Sequence, residues 1–182
     1  FQSIANQSLN LFLDKIFIPL WEIVKREFFF IWPEQSRDYA LDKKYQILSP
    51  SDFGFHNAIQ GNNEMLTFIV FEYFGWDDPV KLIADFIWHP AMTLNDDHKK
   101  RWVKNSFLIF KNTDEIKQRF FAAWPVYGMR WAMILLNEYR EDGWGKKLHV
   151  DENLENFREQ KHREQLDKAV GICNLIKSHQ IE

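Results

Sequence analysis

The apolar residues Leu9, Phe12, Leu13, Ile16, Phe17, Leu20 and Val24 fall three and four positions apart. That spacing matches the turn of an α-helix and places all of them on one stripe. Ser8 is a candidate N-cap for this helix, Pro19 is expected to kink or split it, and Trp32-Pro33 to stop it. The stretch also carries Asp14, Lys15, Glu22, Lys25, Arg26 and Glu27, so it does not read as a membrane span. It lacks the basic start, clean apolar centre and small-residue cleavage site of a signal peptide. The expectation is a cytoplasmic protein with no membrane partner.

Helical spacing returns after Val80. Leu82, Ile83, Phe86 and Ile87 share a face, and a helix is expected over 97–109, starting near Asn95. Thr113 is a candidate N-cap for the next helix, which Pro125 is expected to interrupt. Val126 to Tyr139 reads as a buried helix, Asp142-Gly143-Trp144-Gly145 as a turn. Leu154 to Ile176 reads as a charged amphipathic helix with Leu166, Val170, Cys173 and Ile176 inward. Between these helical regions the pattern changes. Tyr45 to Leu48 reads as a short strand, and 49–57 as loop. Ala58-Ile59, the turn 60–64 and the run Met65 to Phe71 form a strand, a turn and a strand. The fold class expected is mainly α (α+β).

Composition narrows the function. The 182 residues are 46% apolar and 27% charged, enough apolar area for an ordered core. A net charge of −3 argues against a nucleic-acid partner. One cysteine excludes a disulfide framework and a cysteine-based zinc site. Aromatic residues make up 16%, and Phe28 to Trp32 is dense in them, so a covering partner is expected over that surface. The first residue is Phe, and the chain is expected to be a processed product or a fragment.

The loop Pro50-Ser51-Asp52-Phe53-Gly54-Phe55-His56-Asn57 places a carboxylate and an amide five residues apart. A strand follows, then Glu72-Tyr73-Phe74-Gly75-Trp76-Asp77-Asp78-Pro79. In phosphoryl-transfer sites of the protein-kinase type, a loop Asp orients the acceptor hydroxyl and an Asn five residues later binds metal. Asp and Asn also favour turns. Asp78 before Pro79 also reads as a helix N-cap with proline at the first helical position. His56 reads as a backbone-bonding or packing residue of the loop, and His89 as structural. The remaining histidines show no metal-ligand spacing.

These motifs resemble the aminoglycoside phosphotransferase and choline kinase-like family, which has the protein-kinase-like fold. The loop 50–57 is similar to that family's H-G-D-x-x-x-x-N. The segment Phe71 to Ala84 is similar to its I-D-W-E-x-A-x-x-G-D-P-x-x-D-L-A, and Arg130 to Glu138 resembles a late helix of some members. The resemblance covers about 45 to 176. It implies a single domain over 1–182 equivalent to the helical C-lobe. Within it, 1–44 is a leading helical segment, 45–79 holds the catalytic loop and strand hairpin, and 80–182 is a helical subdomain. It implies transfer of the ATP γ-phosphate to a hydroxyl of a small molecule, a sugar, aminoglycoside-like or amino-alcohol acceptor. Mg²⁺ and ATP are the implied cofactors. Asp52 would be the catalytic residue and Asn57 a metal ligand, with Asp78, Glu72 and His56 supporting the loop. Apart from the resemblance, the Trp and Phe residues read mostly as core, with Phe53, Phe55, Trp76 and Trp131 the candidates for lining an acceptor pocket.

Three departures from the family pattern carry their own expectation. Its metal-binding Asp falls at position 70, which is Val70, and an aliphatic side chain cannot ligate magnesium. Pro50-Ser51 replaces the His-Gly of the loop. No Gly-rich loop precedes position 45, and no strand Lys with a helix Glu can be assigned, so the nucleotide-binding N-lobe is expected to be missing. The alternative reading is a pseudokinase-like binding or regulatory module without catalysis, its apolar surface covered by a separate N-lobe or a homodimer partner.

Overall fold

The computed structural model describes residues 4–32, 40–62, 64–69, 71–110, 113–140 and 154–179. The first helical stripe forms as spaced, in three consecutive pieces. Helix α1 (Ile4–Phe12) passes into a π-helical turn over Leu13–Phe17, and α2 (Ile18–Ile31) follows. Phe12, Leu20 and Val24 from the stripe are buried. The π turn lies just ahead of Pro19. A widened turn there removes the need for the N–H that proline lacks, so the helix absorbs Pro19 instead of splitting. Ser8 is no N-cap, because the helix already runs from Ile4.

Four short strands follow: β1 (Ile47–Ser49), β2 (Ala58–Gln60), β3 (Leu66–Phe68) and β4 (Gly75–Asp77). Strands β2 and β3 form the expected hairpin, with Ala58 opposite Phe68. Its turn places Glu64 at φ 61°, closed by Glu64 N–H to the Gly61 carbonyl at 3.1 Å. The first strand is shifted from the expected 45–48, because Lys43–Tyr45 turns as a 3₁₀-helix capped by the Asp42 carboxylate. It pairs antiparallel with β4, a strand not expected from the sequence, with Leu48 opposite Trp76.

Three helices follow in the order expected after 79: α3 (Pro79–Trp88), α4 (Asp96–Ile109) and α5 (Thr113–Leu135). Asp78 caps α3 by accepting from the Val80 N–H at 2.9 Å, with Pro79 at the first helical position. Asn95 caps α4 in the same way, through the His98 N–H at 2.8 Å. The side chain of Thr113 and the turn expected at 142–145 lie outside the described residues. Pro125 does not interrupt α5. Proline inside a helix costs about 3 kcal/mol. Burying one large apolar side chain returns about 1.5–3 kcal/mol, and α5 buries Phe120 before the proline and Met129 and Leu135 after it. Helix α6 (Leu154–His179) is the long charged helix, with Leu166, Cys173 and Ile176 buried as spaced and Val170 partly buried.

The chain divides into two compact units, Phe1–Lys25 with Gly128–Glu182, and Arg26–Tyr127. In the first, α6 packs on α1, on the π turn and on a 3₁₀ turn at Leu136–Tyr139. Burial there pushes the Cys173 thiol up to about 11, which makes it an inert core group. In the second, Phe86, Ile87 and Met92 form a buried cluster that Phe53, Trp102 and Trp124 pack against. The Trp88 indole donates to the Trp124 carbonyl at 3.0 Å, and the Trp102 indole to the Ile83 carbonyl at 3.1 Å. No described helix is long and apolar enough to cross a membrane.

Candidate functional site

The loop after β1 is set by one strained residue. Ser51 has φ 61°, a left-handed conformation that costs a non-glycine residue roughly 1–3 kcal/mol. The turn is closed by the Asp52 N–H to the Pro50 carbonyl at 2.7 Å, and by the Ser51 N–H to the Ser49 hydroxyl at 3.2 Å. Lys81 reaches back from α3. Its Nζ donates to Asp77 Oδ2 at 2.6 Å and to the Ser51 hydroxyl at 3.2 Å, tying the loop to β4 and α3.

Beyond Asp52 the chain reverses. Gly54 is extended, and the turn Phe55–Asn57 brings His56 and Asn57 back onto Asp52. Asn57 Nδ2 donates to Asp52 Oδ2 at 3.0 Å and to the Asp52 carbonyl at 2.8 Å. His56 Nε2 lies 3.0 Å from Asp52 Oδ1. A Cβ on Gly54 would come within 2.7 Å of the His56 ring and 3.0 Å of Met92 Sδ, so only glycine leaves room for that ring. The Ile69 N–H bonds the Asn57 carbonyl at 3.0 Å and joins the loop to the end of β3.

A fourth residue completes the cluster from the far end of α3. His89 stacks on His56, ring centres 3.9 Å apart and planes within 5°. Its Nε2 is 3.7 Å from Asp52 Oδ1, an electrostatic contact and too long for a hydrogen bond. Its Nδ1 accepts the Ala91 N–H at 3.1 Å. Burial of Asp52 disfavours its charged form, but bonds from Asn57 and His56 and the charges of both histidines outweigh this. They hold its pKa below the ordinary carboxylate value. Burial, then the neighbouring His56, lowers the pKa of His89. The Asp52 side chain stays 40% exposed. The cluster thus presents to solvent an ionised carboxylate with both oxygens fixed in direction, a group suited to accept a hydrogen bond from a hydroxyl and orient it.

The other expected site residues are dispersed. Asp78, besides capping α3, pairs with the buried Arg119. The Arg119 guanidinium in turn lies 5.3 Å from the centre of the Trp32 ring. Glu72 is exposed in the turn between β3 and β4. Phe53 is core material, stacked between Phe68 and Phe86 at 4.5 and 5.8 Å. Phe55 is half exposed, with its edge on Phe86. Trp76 is exposed on β4 and lines a cavity of about 550 Å³ with Trp32, Tyr45 and Asp77. Trp131 belongs to the first unit, under the Arg130 guanidinium. Position 70 lies outside the described residues. His89 was not marked by any sequence spacing, because it meets His56 only through the fold.

A hard cation such as magnesium asks for oxygen ligands. The Asn57 amide nitrogen is committed to Asp52, which leaves its amide oxygen, a hard donor, as the group it could offer to a cation. The donor set to this extent fits one magnesium ligand from Asn57, with Asp52 beside it. Compared with protein-family models, curated proteins and solved structures, the chain matches none of them.

Proposed function

We propose that the loop 50–57 is the catalytic loop of a small-molecule phosphotransferase, and that the chain contains the helical lobe of a protein-kinase-like fold. The observation that carries this reading is the closed Asp52–Asn57 pair. The amide holds the carboxylate by side chain and backbone together, which fixes it in one direction. In this reading Asp52 orients the acceptor hydroxyl and receives its proton, His56 steadies the carboxylate, and Asn57 offers its amide oxygen to magnesium. Bound magnesium would neutralise charge on the transferred phosphoryl group. The acceptor is a sugar or an amino-alcohol, the donor a nucleoside triphosphate, and the site of action the cytoplasm. Family membership in the aminoglycoside phosphotransferase and choline kinase-like group is part of the same proposal.

A second reading is favoured by one residue. Val70 stands where the motif places a metal-binding Asp, and loss of that ligand lowers the rate by about 10³-fold or more. The chain would then be a pseudokinase-like binding or regulatory module. The test is ATP consumption by the chain with magnesium and a panel of aminoglycosides, sugars and amino-alcohols, beside the Asp52→Asn variant. Acceptor-dependent turnover abolished by Asp52→Asn supports catalysis. Nucleotide binding without turnover supports the second reading, and neither binding nor turnover overturns both.

A further inference from the structure

We propose that Asp52, His56 and His89 form a binding site for a zinc-class transition-metal ion, distinct in chemistry from magnesium. Among the described residues these three are the group whose ligand atoms lie within 4.8 Å of one another. The spacing fits a common metal. Ligand atoms about 2.0–2.1 Å from a tetrahedral zinc stand roughly 3.3 Å apart. Asp52 Oδ1 is 3.0 Å from His56 Nε2 and 3.7 Å from His89 Nε2, two separations on either side of that value. The rings, stacked in parallel planes in the metal-free protein, must turn about their side-chain bonds to aim both nitrogens at one ion.

The donor set decides which ion. Two imidazole nitrogens and one carboxylate oxygen suit zinc, nickel or copper, whereas magnesium prefers oxygen throughout. The surroundings hold the carboxylate ready. Asn57 grips Oδ2 and leaves Oδ1 aimed at the histidines, as outer-shell partners of metal ligands do. In the metal-free protein the Ala91 N–H on His89 Nδ1 keeps the neutral ring's proton on Nε2. Metal binding moves that proton to Nδ1 and gives up this one exposed hydrogen bond, a small loss beside a nitrogen–metal bond. The fourth position faces solvent and takes water or an anionic oxygen.

This inference does not rest on the phosphotransferase reading. If both hold, the ion and an acceptor hydroxyl compete for the same Asp52 oxygen, and zinc inhibits transfer.

The test is titration of the full chain, stripped with a chelator, by zinc and by magnesium, followed by calorimetry, with cobalt as an optical probe. One equivalent of zinc is expected to bind in the micromolar range or tighter, undisturbed by excess magnesium. Cobalt is expected to give the intense visible bands of a four-coordinate nitrogen–oxygen site. His56→Gln and His89→Gln are each expected to weaken zinc binding about tenfold or more, and His98→Gln to leave it unchanged. Absence of stoichiometric zinc binding overturns the proposal. So does full-strength binding by either site variant, which would put the ion elsewhere. Should one variant fail to fold, the other together with the parent chain's zinc-over-magnesium preference decides the matter.

Discussion

Asn57 holds Asp52 at two points, its amide nitrogen 3.0 Å from the carboxylate Oδ2 and 2.8 Å from the Asp52 carbonyl. The pair closes the loop on itself, so the direction of the carboxylate and the path of the backbone are fixed by one side chain. Replacing Asn57 by Ala removes both bonds. We expect a loss of about 1–3 kcal/mol, read by denaturant unfolding. Asn57→Asp keeps the size but sets two carboxylates against each other, so it should cost at least as much. An Asn57→Ala chain as stable as the parent would show that the pair does not form.

Gly54 is required by the His56 ring. Gly54→Ala places a methyl group within 2.7 Å of that ring, which must turn away from Asp52. The expected outcome is loss of the His56–Asp52 contact with little change in helix content. Histidine ¹⁵N chemical shifts, which report whether Nε2 still carries a hydrogen bond, check this.

Ser51 stores strain immediately before the candidate catalytic residue. Ser51→Gly relieves a left-handed backbone but adds chain entropy and drops the bond from Lys81. The effects oppose each other, and a change within about 1 kcal/mol is expected. Ser51→Val, whose branched side chain resists positive φ, should destabilise by about 1–3 kcal/mol. Paired melts of the two variants test the difference.

Asp78 does two jobs that substitution can separate. Asp78→Asn keeps a cap for the Val80 N–H but leaves the buried Arg119 without its counter-charge. Asp78→Ala loses both. Removing one partner of a buried pair costs about 3–5 kcal/mol and a cap about 1 kcal/mol, so most of the loss should already appear in Asp78→Asn. Equal stability of Asp78→Asn and the parent chain would mean the ion pair contributes nothing.

In the first unit, His162 is buried, with Nε2–H donating to the Glu138 carbonyl at 2.8 Å and its ring stacked on Tyr139. Burial, aided by Arg158, lowers its pKa below the ordinary 6.5, against the opposing pull of the Glu138 carbonyl. The fold therefore favours the neutral ring. Its contribution is fully present above pH 6.5 and is lost as the pH falls through the lower folded value. The melting temperature should drop on acidification in that window, and His162→Gln should flatten this part of the profile.

Much of the fold was legible because it rests on short-range rules. The stripe from Leu9 to Val24, the helix start near Asn95 and the Asp78-Pro79 helix start are all local, and each formed as spaced. Two prolines misled in the same direction. Pro19 and Pro125 looked like breaks, but a π turn and apolar burial on both sides carry the helices past them. The strand β4 was hidden because three residues, Gly75-Trp76-Asp77, carry too little alternation to register as a strand. The loop 50–57 was visible as a motif, and its internal bonds follow from its spacing. His89 was not visible, since only the return of α3 over the loop brings it to His56. Residue type alone left Phe53 between core and acceptor pocket, and the structure stacks it, partly buried, on the aromatic cluster of Phe68, Phe86 and Trp102.

The central claim is that Asp52 and Asn57 form the catalytic loop of a phosphoryl-transfer site whose family motif puts a metal-binding Asp at the position Val70 occupies in this sequence. Isothermal titration of ATP, with and without magnesium, into the parent chain and Val70→Asp tests it most directly. The account predicts magnesium-dependent binding that Val70→Asp strengthens about tenfold or more, roughly 1.4 kcal/mol. Identical behaviour of the two chains, or no magnesium-dependent binding by either, would contradict it.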